Sequence, residues 1–193
     1  MIYPLPAVMV SCGSSPEEYN IITISWTGTI CTDPAMCYIS VRPERHSYGI
    51  IRERMEYVIN LTTARLAYAA DWCGVKSGRD HNKFREMNLT PVPASAVSAP
   101  MIGEAPVSIE CRVREIIELG THHMFISEVV AVNADEAYLD SPTGLFRLND
   151  AGLINYSHGR YYENGRMLGK FGFSVEKKGK KKKDREGKGT PKH

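Results

Sequence analysis

The feature that most constrains the fold is a run of alternating side chains near the start of the chain, NIITISWTGTI at residues 20–30. Counting by twos from Ile21, one face carries Thr23, Ser25, Thr27 and Thr29. The other face carries Ile22, Ile24, Trp26, Gly28 and Ile30. Because successive side chains of a strand point to opposite sides of the sheet, the pattern predicts one continuous, half-buried strand. Its row of hydroxyls marks a face that can hydrogen-bond a ligand.

Five further strands are predicted at residues 7–12, 36–41, 57–61, 107–118 and 124–133, from apolar or alternating runs bounded by turn residues. Helical spacing follows Ser47, and short helices are expected near 63–73 and 81–87, while 89–103 is expected to be irregular. Many strands with few helices predict a mainly β protein with added helices, folded as a closed or nearly closed barrel.

Two loops carry groups that suit a phosphate. The first precedes the predicted helix that Ser47 would cap, and its polar residues are Arg42, Arg45, His46 and Ser47. A helix N-terminus presents unpaired N–H groups and a favourable dipole to an anion. The second loop adds Lys76 and Ser77 before another predicted helix. Each loop taken alone is also compatible with an ordinary solvated turn. Asn60, at a strand end, is a further polar candidate, and it is equally compatible with a side chain that hydrogen-bonds its own turn.

Charge and cysteine content exclude several classes of protein. Residues 176–193 contain nine Lys and Arg against three Asp and Glu, which leaves 15 basic and 19 acidic side chains in residues 1–175. A mildly acidic body makes nucleic-acid binding improbable outside this tail. The five cysteines include no CxxC pair, which favours reduced thiols in a cytoplasmic protein over disulfides or a zinc site. No apolar run reaches the roughly 20 residues of a membrane span.

Adjacent histidines, His122 and His123, lie in the predicted hairpin between the last two long strands. Neighbouring strand residues point to opposite faces, so the pair cannot easily bind one metal ion. The pattern predicts one exposed and one packed histidine, and no metal site.

Several segments, in this order, resemble the flavin reductase-like, FMN-binding split-barrel proteins, particularly the flavoredoxin type. They are PAVMVSCG (6–13), NIITISWTG (20–28), RPERHSYGII (42–51), EYVINL (56–61), KSGRDHNKF (76–84) and HHMFISEVVAV (122–132). The resemblance implies a six-stranded Greek-key split β-barrel over residues 1–175, followed by a basic tail at 176–193 that we expect to be disordered. It also implies a homodimer that holds FMN noncovalently near the subunit interface.

Carried over position by position, the resemblance implies a set of flavin-binding residues. Those expected near the ring are Asn20, Thr23, Ser25, Trp26 and Thr27. Those expected near the ribityl phosphate are Arg45, Ser47, Lys76 and Ser77, with Asn60 as a further candidate. His123 is the candidate catalytic residue, near flavin and nicotinamide. Reductase members often have Gly-Asp-His in this hairpin, whereas this chain reads Gly120-Thr121-His122-His123.

The activity implied is an FMN-dependent oxidoreductase that takes hydride from NADH or NADPH and passes electrons to an acceptor. Two alternatives remain open within the same fold. One is a flavoredoxin-type electron carrier reduced by another redox protein, and the other is a flavin- or haem-binding module without turnover. The lysine-rich tail leaves open a separate association with nucleic acid.

Overall fold

The computed structural model describes residues 2–175, so the basic tail at 176–193 lies outside the described residues. Three α-helices are present there: α1 His46–Arg54, α2 Ala67–Val75 and α3 Lys83–Glu86. The strands, β1 to β12 in chain order, are Leu5–Pro6, Val8–Cys12, Asn20–Ile24, Thr27–Thr32, Ala35–Val41, Glu56–Leu61, Pro91–Val92, Met101–Ile102, Val107–Leu119, His122–Ala134, Ile154–Ser157 and Arg160–Glu163. Single 3-10 turns are Ala64–Leu66, Glu136–Tyr138 and Leu148–Ala151.

Seven of these strands form one antiparallel sheet in the order β3-β2-β6-β9-β10-β5-β4. Its two edge strands, β3 and β4, are consecutive in the chain and separated only by Ser25 and Trp26. In a flat sheet the edges would lie about 29 Å apart, whereas the three steps from Ile24 to Thr27 span at most about 11 Å. The sheet must therefore roll until its edges approach each other, which makes it a barrel with a seam.

The prediction of one continuous strand over residues 20–30 is wrong. The chain breaks at Ser25 and Trp26 and passes from one edge of the sheet to the other. This break also explains why the main sheet has seven strands where six were predicted, since the other five predicted strands are all present. The mainly β class with added helices is confirmed.

The first strands are buried on both faces. In β3, Ile22 and Ile24 pack inside the barrel with residues such as Val10 and Phe125. Ile21 points outward and packs against α2 through Ala70 and Cys73. A smaller outer cluster joins Val58 to Val97 and Ala99. The face of β3 that carries Thr23 is therefore covered by α2, so the polar side chain on this face does not point into solvent.

Helix α1 begins two residues earlier than predicted, and its N-cap is Arg45 rather than Ser47. Arg45 has extended backbone angles and makes no side-chain capping bond. Ser47 is buried, and its hydroxyl accepts a hydrogen bond of 2.7 Å from the Asn20 amide. The start of α1 is therefore tied to β3.

Asn60, near the end of β6, is fully buried and bonds several elements. Its amide nitrogen donates to the Met9 carbonyl at 3.1 Å and to Ser11 Oγ at 2.9 Å. Its amide oxygen accepts from the Ile102 backbone N–H at 2.9 Å and from Ser108 Oγ at 2.8 Å. These partners satisfy the side chain inside the protein, so Asn60 has a structural role, and its contact with the cofactor stays a prediction.

Replacing Asn60 with alanine should lower the free energy of unfolding by about 2–4 kcal/mol, because several buried polar groups lose their partner. Urea denaturation of the two proteins measures this change. The control is Asn164→Ala, at an exposed side chain whose only described contact is a long bond of 3.4 Å to Asn155. The control should change stability by no more than about 0.5 kcal/mol. Equal midpoints for the two variants would contradict the structural role of Asn60.

Candidate functional site

A recess of about 480 Å³ opens at the seam, where β3 ends and β4 begins. Ser25 and Trp26 form part of its wall, together with the backbone of Ile22–Ile24. Its remaining wall includes Tyr3, Leu5, Asp71, His122, Tyr156 and Tyr161. This cavity is called the aromatic recess below. Its size lies within the range of roughly 300–1,000 Å³ that small-molecule sites occupy.

Aromatic rings pack edge to face along the wall of the aromatic recess. Trp26 and His122 lie 4.4 Å apart between ring centroids at an interplanar angle of 85°. Tyr156 and Tyr161 pack edge to face with centroids 5.6 Å apart. Burial, and then the Asp71 carboxylate, raise the pKa of Tyr161 to about 12, so its hydroxyl stays protonated at neutral pH. The wall can therefore pack against a planar ring, while the Tyr161 hydroxyl is engaged by Asp71.

The exposed edge of β3 supplies backbone groups to the same recess. β3 pairs with β2 on one side, and on its other side no strand of the described sheet follows it. An unpaired strand edge presents N–H and C=O groups in alternation. Hydrogen bonding to a ring edge can therefore come from the backbone of Ile22–Trp26 and need not depend on the Thr and Ser side chains.

A second recess of about 350 Å³ adjoins the first, and both include Ile22, Arg45 and Gly74 in their walls. It is called the cationic recess below, because it is lined by Arg45, His46, Lys76, Arg79 and Lys83. Its neutral polar wall consists of Asn20, Ser47 and Ser77. The first turn of α1 faces it without a side-chain cap and without an acidic residue. Helix N-terminus and cations together favour an anion.

The cations of the cationic recess also affect the pKa of His46. Burial lowers the pKa of His46 below its usual value, and the positive charges of Arg79 and Lys83 lower it further. The one acidic residue in the wall, Glu44, is paired with Arg42 at 2.6 Å. Little negative charge therefore remains to balance the cations.

Lys83 is the most deeply placed of these cations, with 3% of its surface exposed. Its Nζ donates to the Ile21 carbonyl and to the Cys73 carbonyl, each at 2.7 Å. No carboxylate of the described residues lies within ion-pair distance of it. Lys83 thus joins β3 to the end of α2 while its charge is unpaired.

Most of the residues predicted to bind the cofactor lie in these two recesses. Thr23, Ser25, Trp26 and Arg45 line the aromatic recess. Asn20, Arg45, Ser47, Lys76 and Ser77 line the cationic recess. The Thr23 hydroxyl donates to the Ala70 carbonyl, so it is engaged by α2.

Two predicted residues lie elsewhere. Thr27 is buried, and its hydroxyl donates to the Tyr38 carbonyl at 2.6 Å. His123 lies outside both recesses, where its Nδ1 is 2.8 Å from the Tyr48 hydroxyl. His122 occupies the aromatic recess instead, because the two rings point to opposite faces of β10. His123 is packed against Tyr48 as expected of one histidine, but both histidines are half-buried and neither is fully exposed. The catalytic role expected of His123 stays a prediction.

Several lining residues were missed by sequence reasoning. Arg79 and Lys83 were quoted in the segment KSGRDHNKF, yet nothing in one sequence indicates that Lys83 turns inward. Asp71, Tyr156 and Tyr161 come from α2 and from the β11–β12 hairpin, which had no chemical signature. Their contribution depends on tertiary packing, so no sequence signal could have found them.

Two kinds of feature are absent from the described residues. Within residues 2–175 no helix is long and apolar enough to cross a membrane. No group of three or more His, Cys, Asp or Glu side chains in this range is arranged to hold a metal ion. All five cysteines are free thiols in the described structure.

Comparisons with known proteins agree with this geometry. The family model for the flavin reductase-like domain matches residues 1–164. The flavoredoxin of Desulfovibrio vulgaris (Miyazaki F) is 31% identical, with a TM-score of 0.83 over 91% of this chain and 95% of that one. A protein with a split barrel domain from Shewanella frigidimarina shares the fold at 20% identity, with a TM-score of 0.75 over 85% of this chain and 84% of that one.

A curated relative is the NADPH-flavin oxidoreductase of Streptomyces viridifaciens, which is 24% identical over 125 residues, 64% of this chain and 63% of that protein. The rolled sheet and its seam correspond to the split barrel of the structural neighbours. The family match extends over most of the chain, from the first residue to the β11–β12 hairpin. The chain belongs to the flavin reductase-like family.

Proposed function

We propose that the chain binds FMN noncovalently across the two recesses and acts as an oxidoreductase that passes electrons from NADH or NADPH to an acceptor. The observation that carries this proposal is the junction at Arg45, where the aromatic recess meets the cationic recess. FMN has the matching order of parts: a planar ring, a ribityl chain and one terminal phosphate.

The residues present fit this cofactor at both ends. The ring would lie between Trp26 and the tyrosine wall, with its polar edge along the open backbone of β3. The phosphate would lie at the start of α1, within reach of Arg45, Ser47 and Lys76. Lys83 is a buried cation without a carboxylate partner, which is costly unless an anion joins it, and this supports a phosphate at this end.

A bound FMN would supply hydride and electron chemistry, and the chain's own residues would position the ring and control its surroundings. His122 contacts Trp26 at the recess and is the residue best placed to act near the reacting ring. Burial, and then Arg42, lower the pKa of His122, so it is mainly neutral at pH 7. A neutral imidazole can both donate and accept a hydrogen bond.

A flavoredoxin-type electron carrier is the second candidate. The flavoredoxin similarity, at 31% identity over 91% of the chain, supports it. The NADPH-flavin oxidoreductase relative supports nicotinamide turnover, but at lower identity and over less of the chain. The two candidates share the flavin site and differ only in the donor.

We also propose that residues 1–175 act as one domain and form a homodimer, with the basic tail outside it. Large apolar side chains near the seam support a partner surface, because Trp26 is 44% exposed and Ile30 is 50% exposed. Size-exclusion chromatography with light scattering would test the dimer.

The purified protein should carry, or take up, a yellow chromophore with FMN's mass and flavin absorbance bands. Absorption spectroscopy followed by mass identification of the released cofactor measures this. Arg45→Ala should weaken FMN binding by at least about tenfold, since a charge-assisted bond is worth roughly 1.5–3 kcal/mol. Arg160→Ala, at an exposed side chain outside both recesses, is the control and should bind as wild type. Absence of flavin binding would refute the proposal.

Gly78→Ala should weaken FMN binding without changing the ring site. A Cβ at Gly78 would lie 2.2 Å from the Asn20 amide oxygen, so Asn20 must move and its bond to Ser47 must break. Gly49→Ala is the matched control, because a Cβ there meets nothing within 4 Å. Titration of both variants with FMN and with riboflavin, which lacks the phosphate, measures the effect. A loss that is equal for the two ligands would contradict this assignment.

Stopped-flow mixing of the flavin-loaded protein with NADH or NADPH separates the two candidates. Rapid bleaching of flavin absorbance is expected for the oxidoreductase, and its absence would favour the carrier. If His122 acts as a proton-transfer group at the ring, His122→Asn should slow bleaching by about 100-fold, the lower end of the range for loss of such a group. His123→Asn, outside the recess, is the control and should retain the wild-type rate.

A further inference from the structure

Lys83 presents a chemical problem that the proposed phosphate site does not by itself explain. Its ammonium group is buried between β3 and α2 and bonds two backbone carbonyls, those of Ile21 and Cys73. An ammonium group has three N–H donors, so one remains for the cationic recess that Lys83 lines. A buried, charged donor aimed into a cavity is a feature that an anion would complete.

None of the groups that face Lys83 supplies a negative charge at neutral pH. From α2 and β2 come Cys73 and Cys12, whose thiol pKa values burial raises to about 11 and about 12. Before and within α1 lie Arg45 and His46, and the loop after α2 contributes Lys76 and Arg79. Asp80 acts on His46 but makes no ion pair with Lys83, and Glu44 is paired with Arg42.

Burial lowers the pKa of Lys83 to about 8, and the charge of Arg45 adds to this shift. A neutral amine retains two N–H donors, which are enough for the two carbonyls. Loss of the proton therefore leaves the link between β3 and α2 intact. It removes the charge and the donor that face the recess.

On the basis of the FMN site proposed above, we propose that Lys83 is a proton-linked positioning residue. Lys83 is charged when the cofactor phosphate is bound, and its deprotonation releases the cofactor. Phosphate binding would stabilise the charged form, so binding above neutral pH takes up a proton. The affinity for FMN is therefore highest below the pKa that Lys83 has in the free protein, and it falls as the pH rises above that value.

The test is a pair of dissociation constants at pH 7 and pH 9, measured from flavin fluorescence. With a free-state pKa of about 8, wild-type affinity for FMN should be about tenfold weaker at pH 9. Riboflavin shares the ring and its ionisation but has no phosphate, so its affinity should change much less. Subtracting the pH dependence of riboflavin affinity from that of FMN affinity gives the contribution of the phosphate group.

Lys83→Met should abolish the phosphate-dependent slope and leave binding weak at both pH values. The matched control is Lys76→Met, at an exposed lysine of the same recess, which should bind more weakly than wild type yet keep the slope. Lys83→Arg keeps the charge without titrating in this range, so a folded arginine variant should also lose the slope. Thermal unfolding of each variant verifies that it is folded.

Calorimetry on the wild-type protein needs no variant. FMN binding at pH 8.5, measured in buffers of different ionisation enthalpy, should take up a fraction of a proton that riboflavin binding does not. No FMN binding at pH 7 would refute the proposed function and this inference together. FMN binding without proton uptake, or with the same slope in Lys83→Met, would refute the role of Lys83 alone.

Discussion

The constraint on which the structure depends is the two-residue connection between the edges of the main sheet. Ser25 and Trp26 cannot span a flat seven-stranded sheet, so the sheet rolls and its edges meet at a seam. The same connection leaves one side of β3 without a strand partner. One covalent constraint thus produces both the barrel and the backbone edge that opens onto the aromatic recess.

β3 then has to be held by something other than a second strand. Asn20 bonds Ser47 in α1, Thr23 bonds the Ala70 carbonyl in α2, and Lys83 bonds β3 and α2 at once. The Cys73 carbonyl belongs to the last turn of α2, where a cation is favoured by the helix dipole. These side chains replace the missing ladder and set the distance between the aromatic recess and the cationic recess.

Sequence reasoning predicted the strands and the two polar loops because their signals are local. Alternation located every long strand, and Arg45, Ser47, Lys76 and Ser77 do meet in one recess. It failed where a tertiary contact decides the outcome. The alternation of hydroxyl and apolar residues over 20–30 continues across the break, although the inward face changes from Ile22 and Ile24 in β3 to Thr27 in β4, so the sequence had no mark of the seam. The sequence suggests that Asn60 is a turn residue, but it is buried and bonds several elements. Which of His122 and His123 lines the aromatic recess depends on the register of β10.

The distribution of charge shows that the cationic recess is not a by-product of overall composition. Residues 1–175 carry more acidic than basic side chains, yet Arg45, Arg79, Lys76 and Lys83 converge on one cavity. Acids close to it are engaged elsewhere, Glu44 with Arg42 and Glu18 with Arg54 at 3.0 Å. Cations gathered in this way repel one another and lower the stability of the ligand-free protein. Because a bound anion would relieve this repulsion, binding and folding stability are linked at this site, and Lys83, which has the least access to water, contributes most to that link.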